Sequence, residues 1–183
     1  MPMAVRDMGD IINTSILISL VVLICFTTFH SSFSQANTTS PFSKSNAKIQ
    51  SVSGYTSDGK YFVNLQYAPT LVGKGEIMFF MVNLFENAGN KQIRMRHVDC
   101  DFIIQKDGIE LFRMSTKYGE PFFHSINGVM LPSFKFVESG KYTISVEIAG
   151  ILFVPIEPVF ANFSAMVSPA AEGKLEIKLS TLN

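Results

Sequence analysis

Tryptophan is absent from this 183-residue chain, cysteine occurs twice, and Lys plus Arg match Asp plus Glu at 15 each. Each shortage excludes something. Without indole rings, a sugar-stacking platform has to come from other aromatics, of which Tyr55, Tyr118, Phe122 and Phe123 are available. Cys25 lies in the apolar N-terminal stretch, which leaves Cys100 alone beyond it, so no intramolecular disulfide frame is expected. From Asn37 onward, 14 Lys and Arg face 13 Asp and Glu. No basic stripe releases counterions from a phosphate backbone, and nucleic acid is not an expected partner. The densest basic group, Lys91, Arg94 and Arg96, is followed at once by Asp99 and Asp101, the pattern of a solvated strand edge.

Long apolar runs of membrane length are also scarce. The one candidate, Ile16 to Phe29 (ILISLVVLICFTTF), is short for a span and right for the core of an export signal. Arg6 precedes it, and the small residues Ser34 and Ala36 stand where a signal peptidase cuts. Asp7 and Asp10, with Asn13, Ser15 and Ser19, dilute the signal, so residues 1–36 read as a signal peptide or an uncleaved N-terminal anchor helix. Ile24 before Cys25 argues against a lipoprotein. In either form the rest of the protein is expected to be extracytoplasmic. It is then secreted or tethered to the outer membrane face by residues 11–29, and membrane contact runs through that segment only.

Residues 37–47 are polar and Ser/Thr-rich, a linker. Residues 48–183 are long enough for one domain with a sizeable core. Asn37-Thr38-Thr39 and Asn162-Phe163-Ser164 are glycosylation sequons. After the linker, apolar residues recur at strand rather than helix spacing. Ile49–Tyr55 and Lys60–Tyr67 flank the hairpin signal Ser57-Asp58-Gly59. Glu76–Phe85 is nearly continuous in apolar residues, as in a central strand covered on both faces. A strand is expected from about Ile93 to Gln105, with Val98, Cys100, Phe102 and Ile104 inward and His97, Asp99 and Asp101 outward. Ile109–Met114, a loop over Thr116–Asn127, Val129–Phe136 and Lys141–Ile148 follow. Pro155 and Pro158 mark a connection, after which Val159–Val167 and Lys174–Leu179 resume strand character, the last as an edge. The expected fold is all-β, an antiparallel immunoglobulin-like sandwich of about 7–9 strands.

Glu138-Ser139-Gly140-Lys141-Tyr142-Thr143-Ile144-Ser145-Val146 resembles the G-x-Y-x-V-x-V stretch of immunoglobulin-like, fibronectin III-like and PKD-like modules. The resemblance implies that Tyr142 opens a late strand and bonds back across a corner through its hydroxyl. The wider series, HVDCDFIIQKDGIELFR and FKFVESGKYTISVEIAGILFVPIEP, is similar to uncharacterised exported domains of ammonia-oxidising archaea, and more distantly to small YtkA-like extracytoplasmic modules. It covers roughly Gln50 to Val167 and implies a fold and a location. It brings no catalytic residues with it.

Beyond the signal stretch there are two histidines, His97 and His124, one cysteine and six methionines. A blue-copper centre needs His, Cys and Met in a late loop of fixed order, and this chain has His97 before Cys100 on one strand, on opposite faces. A looser copper site has His97 and His124 as ligands, met when the Thr116–Asn127 loop folds over the strand carrying His97. Met95, Met114 or Met130 then supplies a thioether. Tyr118, Phe122 and Phe123 are candidate recognition residues on that same loop. Hydrolase, kinase and dinucleotide motifs are missing, and an inward Cys100 is no nucleophile, so catalysis is not expected. The expectation is therefore a non-enzymatic, envelope-associated module without a cofactor, in a binding or structural role toward a protein or cell-envelope partner. The alternative is an extracytoplasmic copper-binding or carrier protein using His97, His124 and a Met. Histidine nitrogens within about 4–5 Å of each other, with a Met sulfur nearby, separate the two.

Overall fold

A computed structural model describes residues 48–182 apart from Asn90. The expected signal or anchor (1–36), the linker (37–47), Cys25 and the Asn37 sequon lie outside the described residues. The strands are β1 (Gln50–Tyr55), β2 (Tyr61–Ala68), β3 (Leu71–Gly73), β4 (Ile77–Ala88), β5 (Lys91–Arg94), β6 (Val98–Lys106) and β7 (Ile109–Arg113), followed by β8 (Phe123–Ser125), β9 (Val129–Met130), β10 (Ser133–Lys135), β11 (Gly140–Ile151), β12 (Val154–Pro169) and β13 (Lys174–Thr181). Two short 3-10 turns, Ser115–Tyr118 and Ala171–Gly173, complete the described elements.

The strands form two antiparallel sheets, in keeping with an all-β sandwich. One runs β1-β2-β4-β10, with β5 and β9 also on β4; the other runs β3-β13-β12-β11-β6-β7, with β8 also on β6. Alternation explains the core between them. Val63 and Leu65 of β2, and Met78, Phe80, Val82 and Leu84 of β4, are fully buried on one side. Cys100, Phe102 and Ile104 of β6, Ile144, Val146 and Ile148 of β11, and Ala161, Phe163 and Ala165 of β12 are fully buried on the other. Tyr142 opens the inward row of β11, and its hydroxyl donates to the Glu138 carbonyl at 2.9 Å. That bond ties the start of β11 to its own turn.

Thirteen described strands exceed the expected seven to nine because two expected strands are each broken in two, Ile93–Gln105 into β5 and β6 and Val129–Phe136 into β9 and β10, and because β3 and β8 form where no strand was expected, β8 inside the expected Thr116–Asn127 loop. The stretch from Ile93 to Gln105 is two strands in different sheets. β5 pairs with β4, β6 pairs with β11, and the chain crosses at Met95–His97, where His97 takes a left-handed φ of 48°. Asp101 is not outward-solvated as alternation implied but fully buried. β7 and the turn after it cover that face. Arg113 Nη1 reaches the Asp101 carboxylate at 3.1 Å, the Ser115 amide donates to it at 3.1 Å, and the Ser115 hydroxyl donates to it as well. Burial lowers the Arg113 guanidinium pKa, but its hydrogen bonds to Glu110, Glu147 and Asp101 outweigh this and raise it overall.

Pro155 and Pro158 do not mark a connection. They lie inside β12, whose pairing with β13 begins only at Phe163, so their missing N–H groups leave no ladder bond broken on that side. Nor is β13 a bare edge. It pairs with β12 and β3, and the Leu179 amide donates to the Tyr67 hydroxyl at 3.3 Å. β4 has one buried side rather than two, since Ile77 is exposed and Phe79, Met81 and Phe85 are half-buried on the other.

Candidate functional site

His97 and His124 are 27 positions apart in sequence, yet His97 Nδ1 lies 3.4 Å from His124 Nε2. Three pieces of backbone bring them together. β8 pairs with the start of β6, placing His124 directly opposite Asp99. The crossover residue His97 donates its amide to the Ile126 carbonyl at 3.1 Å, and its carbonyl accepts from the Leu152 amide at 2.8 Å. The third piece is the β11–β12 hairpin, whose two-residue turn is Leu152-Phe153. Both turn residues have positive φ, 50° and 67°. That is the type I′ geometry matching sheet twist, normally built from Asn and Gly.

The Asp99 carboxylate accepts from His124 Nδ1 at 2.7 Å. A proton on Nδ1 satisfies this contact, and in the neutral ring Nε2 is then the acceptor that faces His97. Gly150 makes room for the carboxylate, because a Cβ at that position would stand 2.6 Å from Asp99 Oδ2. The β11 register slips between Ile148 and Gly150, a bulge that opens the ladder beside the cluster. Phe153 stacks on His124 with centroids 5.4 Å apart at 18°, and lies 4.8 Å from the His97 ring. The His124 and Asp99 side chains are 37% and 34% exposed, so the pair is open to solvent. Ile126, Leu152, Phe153 and Val154 are all exposed around it.

The other expected ligands do not join this cluster at the surface. Met114 and Met130 are buried in the core, as is Met95. The Met130 sulfur rests 3.4 Å from Cys100 Sγ. Burial, reinforced by the charges of Asp101 and Asp99, pushes the Cys100 thiol far above its ordinary range, which keeps it protonated. Among the described residues no group of three or more His, Cys, Asp and Glu side chains is arranged to hold a metal ion. The site thus offers two imidazoles facing each other, with a carboxylate behind one of them.

Of the expected recognition residues, Tyr118 is exposed and packs on Phe123 at 5.8 Å between centroids. Phe123 in turn rests against the core, and Phe122 is half-buried. No protein-family model, curated protein or solved structure matches this chain.

Sequence reasoning missed Phe153 as a member of the site, and Gly150 with it. Gly150 carried a signal, since glycine inside an alternating strand marks a bulge or a close approach. Phe153 carried none, because Leu-Phe is not a turn dipeptide.

Proposed function

We propose that this protein is an exported, envelope-associated immunoglobulin-like module, without catalytic activity, that binds a copper ion through His97 and His124. The observation that carries the reading is the 3.4 Å approach of His97 Nδ1 to His124 Nε2. Two nitrogens each about 2.0–2.1 Å from one metal ion are separated by roughly this distance when the angle between the bonds is near tetrahedral. Asp99 on the far nitrogen of His124 supplies the outer carboxylate that orients a ligating imidazole. Copper is favoured among divalent first-row ions by an imidazole set, because affinity for nitrogen donors peaks at Cu²⁺. Buried Met114 and Met130 are left out of the ligand set, and water fills the remaining positions.

The corner bond from Tyr142 to Glu138 supports the immunoglobulin-like assignment. The apolar residues around the pair, Ile126, Leu152, Phe153 and Val154, support a protein or cell-envelope partner rather than a solitary carrier. The raised Cys100 thiol supports a binding role over nucleophilic chemistry. Titration of the full chain with Cu²⁺ and with Cu⁺, repeated on His97→Ala and His124→Ala, tests the reading. One equivalent bound by the parent and lost in both variants is expected. Binding that survives either substitution refutes the site.

A further inference from the structure

A second recess lies away from the histidine pair, where the β1–β2 hairpin meets the outer face of the sheet containing β6, β11 and β12. Its volume is about 970 Å³, within the range of small-molecule sites. Three contacts hold its margins. The Ser57 amide donates to the Phe160 carbonyl at 2.8 Å, the Leu182 amide to the Asn162 carbonyl at 3.0 Å, and the Thr181 hydroxyl to the Ser53 carbonyl at 2.7 Å. Gly54 permits the approach, since a Cβ there would stand 3.0 Å from the Thr181 methyl and 3.4 Å from the Phe163 ring.

The lining has an informative composition. Of thirteen residues, eight are uncharged Ser, Thr, Asn or Gln, three are aromatic, and none carries a charge. The polar row is cross-strand: Thr143 faces Gln105, and Ser145 faces Asn162. The Ser145 hydroxyl donates to Asn162 Oδ1 at 2.7 Å, which fixes the amide and leaves its NH₂ as a donor. Tyr55, Phe62 and Phe160 add apolar surface, with Tyr55 half-exposed and packed edge-on against Phe62 at 5.3 Å.

We infer that this recess binds a neutral saccharide. Phosphate and carboxylate ligands are held most strongly by Arg and Lys, and the lining supplies neither. A lipid tail would set the side-chain amides of Gln105 and Asn162 and the Thr143 hydroxyl against hydrocarbon, each at a desolvation cost. An uncharged polyhydroxyl ring matches both halves of the lining. Its hydroxyls exchange hydrogen bonds with amide and hydroxyl side chains, and its C–H face rests on an aromatic ring. Tyr55, exposed at the margin, serves as that ring in the absence of tryptophan. The site is independent of copper and of the histidine pair.

The test is NMR titration of the isotope-labelled full chain with three neutral hexasaccharides: β-1,4-glucan, β-1,4-N-acetylglucosamine and α-1,6-mannan. A polygalacturonate hexamer and an uncharged Gly-Ser peptide serve as the contrasting arms. At least one neutral sugar should shift the Asn162 and Gln105 side-chain amides, and Tyr55→Ala and Asn162→Ala should each weaken it about tenfold. Both substituted residues are exposed, and unchanged spectra elsewhere confirm that the variants fold. The inference is overturned if no neutral sugar shifts these resonances up to ~10 mM. It is equally overturned if both variants bind like the parent, or if the charged hexamer or the peptide binds as well as the best neutral sugar.

Discussion

Replacing Leu152 with Asn and Phe153 with Gly should stabilise the fold and weaken copper binding together. Both residues occupy left-handed backbone, at φ 50° and 67°, which costs roughly 1–2 kcal/mol for a residue bearing a Cβ. Neither recovers that cost by burial, since Leu152 is 60% and Phe153 71% exposed. What Phe153 does gain is its contact with the two imidazole rings, at 4.8 and 5.4 Å, worth about 0.5–1.5 kcal/mol for an aromatic pair. Relieving two strained residues and losing the stacking leaves a net gain of about 1–2 kcal/mol, a rise in Tm of roughly 2–8 °C at about 2–4 °C per kcal/mol for a chain of this size. The backbone bond from the Leu152 amide to the His97 carbonyl is unaffected by side-chain identity, so the turn keeps its shape. Thermal unfolding followed by circular dichroism, in parallel with copper titration, reads both effects. A fall in Tm refutes the reasoning, because it means that the turn is unstrained or that the stacking outweighs the strain. A higher Tm with unchanged copper affinity removes Phe153 from the site.

Other substitutions separate the roles of individual residues. Asp99→Asn should weaken copper about 10–100-fold without unfolding the protein, as expected on losing an orienting carboxylate; Gly150→Ala should act in the same direction, because its Cβ occupies the space of Asp99 Oδ2. Isothermal titration of both variants checks this, and parent-like affinity in both removes Asp99 from the site. Tyr142→Phe should lower the urea midpoint by the equivalent of about 1 kcal/mol, the net worth of its bond to the Glu138 carbonyl. A change within error means that the corner bond does not hold the strand start. The Glu138 carboxyl is held below its usual pKa first by its hydrogen bond from Lys106 and then by that residue's charge. Its folded value lies below its unfolded one, so its stabilisation is present above the unfolded pKa and is lost as pH falls through the folded pKa. Glu138→Gln should therefore lose less stability than the parent across that acid window, a small effect at an exposed site that pH-dependent urea melts resolve.

Strand identity was largely legible in the sequence because its cause is local. Alternation from Tyr142 to Ile148 reappears as the buried row of β11, and Asp58-Gly59 turns β1 into β2 as expected. The illegible features depend on backbone conformation or on remote partners. His97 breaks its strand by adopting a left-handed φ without the glycine that usually announces it. Leu152-Phe153 hides a hairpin for the same reason, while the nearby Pro155 and Pro158 mimic a connection. The burial of Asp101 was not readable from its own strand, because Arg113 and Ser115 cover it from further along the chain. The pairing of His97 with His124 was only a conditional expectation. It depended on β8 docking against β6, a non-local contact between a three-residue strand and the sheet. The methionines gave a misleading signal, since a thioether ligand and a core filler have the same sequence appearance.

In the proposed site two imidazoles, and no sulfur, hold the metal. Copper K-edge X-ray absorption on the full chain loaded with one equivalent tests it most directly. Two imidazole nitrogens at about 2.0 Å are expected, with multiple scattering from both rings and oxygen in the remaining positions. A sulfur scatterer at about 2.3 Å would place Met or Cys in the site and contradict it, as would scattering from fewer than two imidazoles.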